Sequence, residues 1–381
     1  MSRRRYSRRT AATSLGAIVV ISICLGLIFL FQRATGLDLE SPATASTAIL
    51  PTGDTASQTT PIGGSWYRVY FTTPSGSDDP ATYHGGVDAT LAASLATAAR
   101  SIDVAVYEFN LFSLADALIA AQSRGVPVRL VTDTDSMKEE AIGRVRAAGI
   151  PVVADEREPI MHDKFVVIDR AIVWTGSMNF TTNDVYRNDN NFIQITSPRL
   201  AANYTAEFEE MFADRQFGPS SPANTPNPQI TIDGTAIENY FSSEDGVAAH
   251  VMDAIGTAQQ SIDFMAFTFT HDGIAQAIID RAKAGVRARG VFETRQAEGC
   301  CPDVYQAMSD ARLDVLEDGN AYTMHHKVII LDGQTVITGS YNFTLSAENS
   351  NDENVLIIHN AEMAAQYEAE FGRVWSKASS Q

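Results

Sequence analysis

Short runs that are apolar on both faces recur along the chain, the pattern of central buried strands: Ser101–Phe109 (SIDVAVYEF) and Ser261–Phe269 (SIDFMAFTF). Each precedes a segment of helical periodicity, about 113–124 and 272–284, closed by Gly125 or Gly285 where a helix would stop. VPVRLVT and VRARGVF then read as further strands. Alternation of this kind predicts mixed, mainly parallel sheets covered by helices.

The pattern is also repeated. The first two strands stand 160 residues apart. His162-Asp163-Lys164 answers His325-His326-Lys327, Gly176-Ser177-Met178-Asn179 answers Gly339-Ser340-Tyr341-Asn342, and Asn188-Asp189 answers Asn351-Asp352, each at an offset of 163. A three-residue insertion near Cys300 and Cys301 explains the change. Each copy reads as strand, helix, strand, helix, strand hairpin, helix, and two copies related by a pseudo-twofold are the economical architecture. The expected fold is α/β: two such repeats, preceded by an N-terminal transmembrane helix.

That helix is read from Thr10–Gln32, 23 uncharged and mostly apolar residues. At roughly 1.5 Å per residue they would cross a bilayer core of about 30 Å. A cleavable signal has an apolar region of roughly 7–15 residues with a cleavage site close behind; here the nearest small-x-small site, Ala43-Thr44-Ala45, lies well downstream. Five arginines precede the run, so the positive-inside bias places the body on the extracytoplasmic side of the cell membrane. The expected segments are a basic tail (1–9), the anchor (10–32), a Thr/Ser/Ala/Pro/Gly-rich linker (33–65), the first repeat (66–217), a second linker (218–231) and the second repeat (232–377).

Charge narrows the partners. The 381 residues carry a formal −18, and six arginines within residues 1–33 leave −24 on the rest. So acidic a body disfavours a nucleic-acid backbone unless its cations are gathered in one groove. Cys24 falls in the apolar run, while the adjacent Cys300 and Cys301 are free thiols or a vicinal disulfide. No metal-ligand spacing surrounds them.

The chemistry sits in MHDKFVVID and MHHKVIILD. Residues two apart on a strand share a face, so His162 with Lys164, and His325 with Lys327, aim an imidazole and an ammonium at one point. Turns at Asp169-Arg170 and Asp332-Gly333 then lead to return strands ending in Gly-Ser-x-Asn, which bring Ser177 with Asn179, and Ser340 with Asn342, beside those pairs. A phosphodiester needs such fixed donors, together with a nucleophile in line and an acid at the leaving oxygen.

With these motifs duplicated, residues 66–377 resemble the phospholipase D superfamily, whose pattern His-x-Lys-x4-Asp is met by His162, Lys164, Asp169 and by His325, Lys327, Asp332. The resemblance implies that the two copies share one site, where one histidine attacks phosphorus and the other protonates the leaving alcohol and then activates water. Lys164, Lys327, Asn179 and Asn342 would hold the phosphate oxygens, with Ser177 and Ser340 assisting. No metal or other cofactor is implied, and Asp169 and Asp332 are expected to hold structure. Related members usually place a carboxylate after Gly-Ser-x-Asn to orient a histidine; the second copy has Glu353, the first Asn190. If that group reaches across, Glu353 orients His162, the expected nucleophile, and His325 is left with an amide or Asp189.

The leading expectation is a metal-independent phospholipase D-type hydrolase of phospholipid head groups, monomeric because both half-sites lie in one chain. Phe109, Phe267, Phe269, Met161 and Met324 either border a lipid pocket or are ordinary core. The alternative is an extracytoplasmic endonuclease, and intact reactive residues in both copies disfavour an inactive binding protein.

Overall fold

In a computed structural model, residues 64–380 are described. The expected anchor, 10–32, and nearly all of the first linker lie outside them. Among the described residues no helix is long and apolar enough to cross a membrane.

The first repeat forms β1 (Tyr67–Phe71), β2 (Ile102–Val106), β3 (Val128–Thr132), β4 (Val152–Ala154), β5 (Lys164–Ile168), β6 (Ile172–Gly176) and β7 (Asn191–Thr196), ordered β1-β7-β6-β5-β2-β3-β4 in one sheet. The second forms β8 (Gln229–Ile232), β9 (Thr235–Ser242), β10 (Ser261–Ala266), β11 (Arg287–Phe292), β12 (Asp314–Glu317), β13 (Lys327–Leu331), β14 (Thr335–Gly339) and β15 (Glu353–His359), ordered β12-β11-β10-β13-β14-β15-β9-β8. The sheets are mixed and helix-covered, but antiparallel pairs predominate, contrary to the expectation of mainly parallel ones. Only β2-β3-β4 and β10-β11-β12 pair in parallel. Parallel neighbours need a crossover, supplied here by helices such as α1 (Phe112–Ser123) and α2 (Asp272–Lys283), whereas β5–β6, β8–β9 and β13–β14 are hairpins that turn straight back. The second linker is also shorter than expected: its end is already β8, paired with β9.

The motif strands β5 and β13 are buried along their whole length. Each returns through a two-residue turn with both central residues at positive φ, Asp169 (56°) and Arg170 (55°) or Asp332 (55°) and Gly333 (61°), the conformation that matches strand twist in a hairpin. The return strand ends at Gly176 or Gly339. A Cβ there would lie 2.3 Å from the Asn191 carbonyl oxygen or 2.1 Å from that of Asn354, so the glycine of Gly-Ser-x-Asn lets the neighbouring strand close in.

Between the sheets lies a core that both repeats build. It takes Leu200, Tyr204 and Phe208 from α3 (Pro198–Glu209) and Met363, Tyr367 and Phe371 from α4 (Ala361–Ala378), with a separate apolar cluster outside each sheet. Buried amides tie the halves: Asn354 accepts from Thr175 Oγ1 (2.8 Å) and Tyr204 OH (3.0 Å), and Asn191 donates to Thr338 Oγ1 (2.8 Å) and Tyr367 OH (3.3 Å). Beside them the backbones cross. His162 N–H donates to Asp352 O (3.0 Å) and Asp352 N–H to Ile160 O (3.2 Å); His325 N–H donates to Asp189 O (2.8 Å) and Asp189 N–H to Thr323 O (2.9 Å). Two short bridges, Met161 to Asp352 and Asp189 to Met324, thus hold each His-x-Lys segment against the other repeat.

The motif aspartates do not reach this crossing. Asp169 accepts from the N–H groups of Ala99, Arg100 and Ser101, and Asp332 from those of Gln259, Gln260 and Ser261, so each ties the hairpin to the start of the neighbouring strand. Burial pushes both carboxyls up, but the backbone donors outweigh it and hold them below the ordinary range. Depressed folded pKa values contribute stability above the unfolded value of about 3.9 that is lost as pH falls through the folded ones. Asp169→Ala and Asp332→Ala are expected to lower stability by about 1–3 kcal/mol each, with activity per folded molecule nearly unchanged and a shallower stability loss on acidification. Denaturant melts across the acid range check this; a variant of full stability but no activity would return these residues to the site.

Candidate active site

Because the crossing sets residue 352 against Met161, the next side chain of β15 falls beside His162. Glu353 Oε2 stands 2.7 Å from His162 Nδ1, both groups buried. The carboxylate of one repeat therefore meets the histidine of the other. Lys164 Nζ donates to His162 O (2.7 Å) and Lys327 Nζ to His325 O (2.8 Å), so each ammonium is folded back over its own histidine's backbone. Tyr107 lies 5.1 Å from the His162 ring with Lys164 over its face, and Phe267 lies 4.6 Å from the His325 ring with Lys327 over its face.

The asymmetry takes a form the motif comparison missed. His325 Nδ1 is 2.9 Å from Asn190 Oδ1, the expected amide, but the nearby carboxylate is Asp184 (Oδ1 at 3.3 Å), not Asp189. Asp189 instead pairs with Arg373 and Asn320. Asp184 lies on the short helix Thr182–Tyr186 and is held by Thr181 Oγ1 (2.6 Å) and Asn190 Nδ2 (2.9 Å). At the offset of 163 its counterpart is Ala347. Asp184 over Ala347 beside Asn190 over Glu353 would have shown that the first copy moves its carboxylate rather than losing it.

The amide and hydroxyl candidates differ in their ties. Asn179 is buried and Asn342 partly so, and their side-chain oxygens have no hydrogen-bond partner among the described residues; only their Nδ2–H groups could donate to a phosphate oxygen. Ser177 is engaged, donating to Asn190 Oδ1 (2.7 Å), and Ser340 accepts from Asn354 N–H (3.0 Å), so the serines brace the neighbouring strands. Of the five apolar candidates, Phe267 touches the site; Phe109, Phe269, Met161 and Met324 are fully buried core. Tyr107 was missed, and so was half-buried Glu108, whose carboxyl burial and then Asp184 push up to about 7.

Burial dominates the electrostatics. It lowers His162 well below 6.5, with Lys164, Lys327 and His325 adding to the effect, and lowers His325 to about 4, with Lys327 adding and Asp184 opposing. Burial brings Lys164 down to about 8 and lowers Lys327 strongly, the latter with Lys164 repelling it. Burial also pushes Glu353 up, against the pull of Lys164 and Lys327. Groups of both repeats thus act on one another within a single site, where burial disfavours the charged form of both imidazoles and of both ammonium groups.

A family model described as "Cardiolipin synthase, PLD-like domain" matches residues 91–212 and again 251–375. The chain is 32% identical over 124 residues to "Mitochondrial cardiolipin hydrolase" of Chlamydomonas reinhardtii, covering 32% of this chain and 55% of that protein. To "Phospholipase D" of Rickettsia bellii it is 30% identical over 151 residues, covering 38% of this chain and 75% of that protein. The chain spans a little over half the length of the cardiolipin hydrolases it matches. Among solved structures, phosphatidylserine synthase of Haemophilus influenzae aligns over 80% of this chain and 85% of that one with a TM-score of 0.62 and 13% identity, a likeness of fold alone.

The histidine shifts can be measured directly. A histidine whose folded pKa is lowered contributes stability above its unfolded value, about 6.5, that is lost as pH falls toward the folded one. Ring-nitrogen NMR of the ligand-free protein should find both imidazoles uncharged at mildly acidic pH, with the His325 midpoint near 4. Because Asp184 opposes the shift, Asp184→Asn should move that midpoint lower still. Ordinary titration near 6.5 in the parent protein would mean that the site is far wetter than its geometry requires.

Proposed function

Because the chain belongs to the phospholipase D-like family, we propose that it is a phosphodiesterase hydrolysing phospholipid head groups through a phosphohistidine intermediate on His162. The observation that carries this reading is the contact between His162 Nδ1 and Glu353 across the repeats. With Glu353 accepting from Nδ1–H, the Nε2 lone pair is left basic and aimed outward, and the carboxylate stabilises the charge that develops on attack. Nε2 bonds to phosphorus, the bond to the leaving alcohol breaks, and His325 gives that oxygen a proton. Neutral His325 then takes a proton from water as the water bonds to phosphorus and the P–N bond breaks, which restores His162.

His325 must hold a proton for the first step although the empty site keeps it neutral. An anionic diester offsets the two ammonium charges that hold His325 down, and Asp184 already draws it up, so the proton arrives with the substrate. The same charge raises both lysines and fixes them as cations, and the Nδ2–H groups of Asn179 and Asn342 would donate to its oxygens. Lipid as the substrate rests on the relatives named for phospholipase D and cardiolipin hydrolysis, on the acidity of the body, and on the uncharged run 10–32, which would hold the site beside a membrane on the extracytoplasmic side. One chain carrying both half-sites suits a monomer.

The test is chemical. Full-length His325→Asn given a phosphatidyl ester of p-nitrophenol should release one equivalent of nitrophenol in a burst and keep labelled phosphorus on His162, because a good leaving group needs little acid while the activated water is missing. Glu353→Gln should lower kcat by roughly 10³–10⁴ with little change in KM, by analogy with other carboxylate-oriented histidines. Label found on His325 in His162→Asn, and none in the reciprocal protein, would reverse the roles. Parallel assays on cardiolipin vesicles, phosphatidylcholine vesicles and single-stranded DNA decide the substrate; turnover of DNA alone would replace the lipid reading with the nuclease one.

A further inference from the structure

The two repeats differ in a second place, on the far side of the motif strands from the histidines. Asp163 and His326 occupy equivalent positions, as do Glu207 and Glu370, Glu210 and Arg373, and Asp352 and Asp189, all at the offset of 163. In one member of this pair each carboxylate has side-chain partners. His326 Nε2 is 3.0 Å from Glu370 Oε1, Arg373 Nε donates to Glu370 Oε2 (2.9 Å), and Arg373 also pairs with Asp189. Burial pushes Glu370 up, but Arg373 and His326 bring it down to about 2.

The other member replaces the histidine and the arginine with carboxyls. Asp163, Glu207, Glu210 and Asp352 are buried, Glu244 joins them from the loop after β9, and Arg157 is the cation that answers, bound to Asp352. Asp163 Oδ2, Glu207 Oε1, Glu210 Oε2 and Glu244 Oε2 have no hydrogen-bond partner among the described residues. Glu207 is 3% exposed and Glu210 6%, so water does not make up the loss. Burial pushes all five carboxyls up: Asp163 to about 6, Glu210 to about 7, Glu244 to about 8, Glu207 and Asp352 strongly.

Geometry says what would relieve this. Oxygens of Glu207, Glu210 and Glu244 lie within 4.8 Å of one another, the span of two Ca–O bonds of about 2.4 Å. Glu207 stands on the last turn of α3, and Glu210 opens the π-helical turn Glu210–Asp214 that follows; three residues apart along the helix, the two side chains share one side. Glu244 is only partly buried and leaves a way in. We propose that Glu207, Glu210 and Glu244 form a structural site for a hard divalent cation, Ca²⁺ by its size and its preference for carboxylate oxygen. The ion would occupy the place that the Arg373 guanidinium fills in the other half. It would brace Asp163 and Asp352, the chain neighbours of His162 and Glu353, without meeting the substrate.

The full chain, stripped with chelator in detergent, is titrated with Ca²⁺ while bound ⁴⁵Ca and the melting midpoint are followed, neither of which depends on catalysis. One ion should bind per chain and raise the midpoint by about 5 °C or more at saturation. Glu207→Gln with Glu210→Gln should melt no lower than the stripped parent, since repulsion is removed, and should lose both responses. Glu210→Arg, which copies the Arg373 arrangement, should be as stable without Ca²⁺ as the parent is with it. Absence of bound ⁴⁵Ca, or an equal Ca²⁺ response in the double variant, overturns the site. Stabilisation of the stripped parent by mild acid, with no cation effect, would instead assign the cluster to shared protons.

Discussion

The four backbone hydrogen bonds at the repeat crossing are the constraint on which the site depends. Neither His-x-Lys segment finds its orienting group in its own repeat: His162 turns to Glu353 and His325 to Asn190 and Asp184, each across the pseudo-twofold. A strand displaced by one residue would present the opposite face, so the register of these short bridges decides whether a histidine meets a carboxylate or the core. The shared core and the paired asparagines, Asn191 and Asn354, make that register costly to change, because each amide is buried and bonded to side chains of the opposite half.

Burial on this scale also sets the charge state. Lys164 and Lys327 are almost wholly removed from water and lie near enough to repel, an arrangement that costs stability in the empty protein. On the proposed reading that cost would fall when an anionic substrate enters, and binding energy from its phosphate would go into protonating His325 and fixing two cations where charge develops, rather than into uniform attraction.

Much of this was legible because duplication multiplies weak signals. One His-x-Lys or one Gly-Ser-x-Asn means little, but two at a constant offset marked both strands, both hairpins and the residues that now surround the imidazoles. The cross-repeat role of Glu353 followed from the motif resemblance, and the geometry places it at 2.7 Å from His162. Sheet direction was less legible. Periodicity distinguishes a strand from a helix but not a parallel from an antiparallel neighbour, and β1, β4, β7, β8, β9, β12 and β15 are not among the strands it marks. The apolar candidates, left open between pocket and core, divide: Phe267 and Phe269 are two residues apart on one segment, yet only the first remains beside a histidine once the strand has ended at Ala266.

Asp184 escapes the motif pattern because it stands six residues before Asn190, the position equivalent to Glu353. Where two halves must build one asymmetric site, a charge needs only to arrive at the same point in space, and the backbone offers several routes to it. The first repeat sends its carboxylate from a short helix, the second from a strand, and the amide Asn190 fills the position left over while holding Asp184 in place. The same comparison carried one layer deeper finds Asp163 and Glu210 where His326 and Arg373 stand. A substitution that removes a cation from a buried network must be answered by a proton, another side chain or an ion. In the histidine layer the answer is another side chain. In the deeper layer five carboxyls face one arginine with several oxygens unbonded, so among the described side chains the answer is missing, and what supplies it has to come from solution.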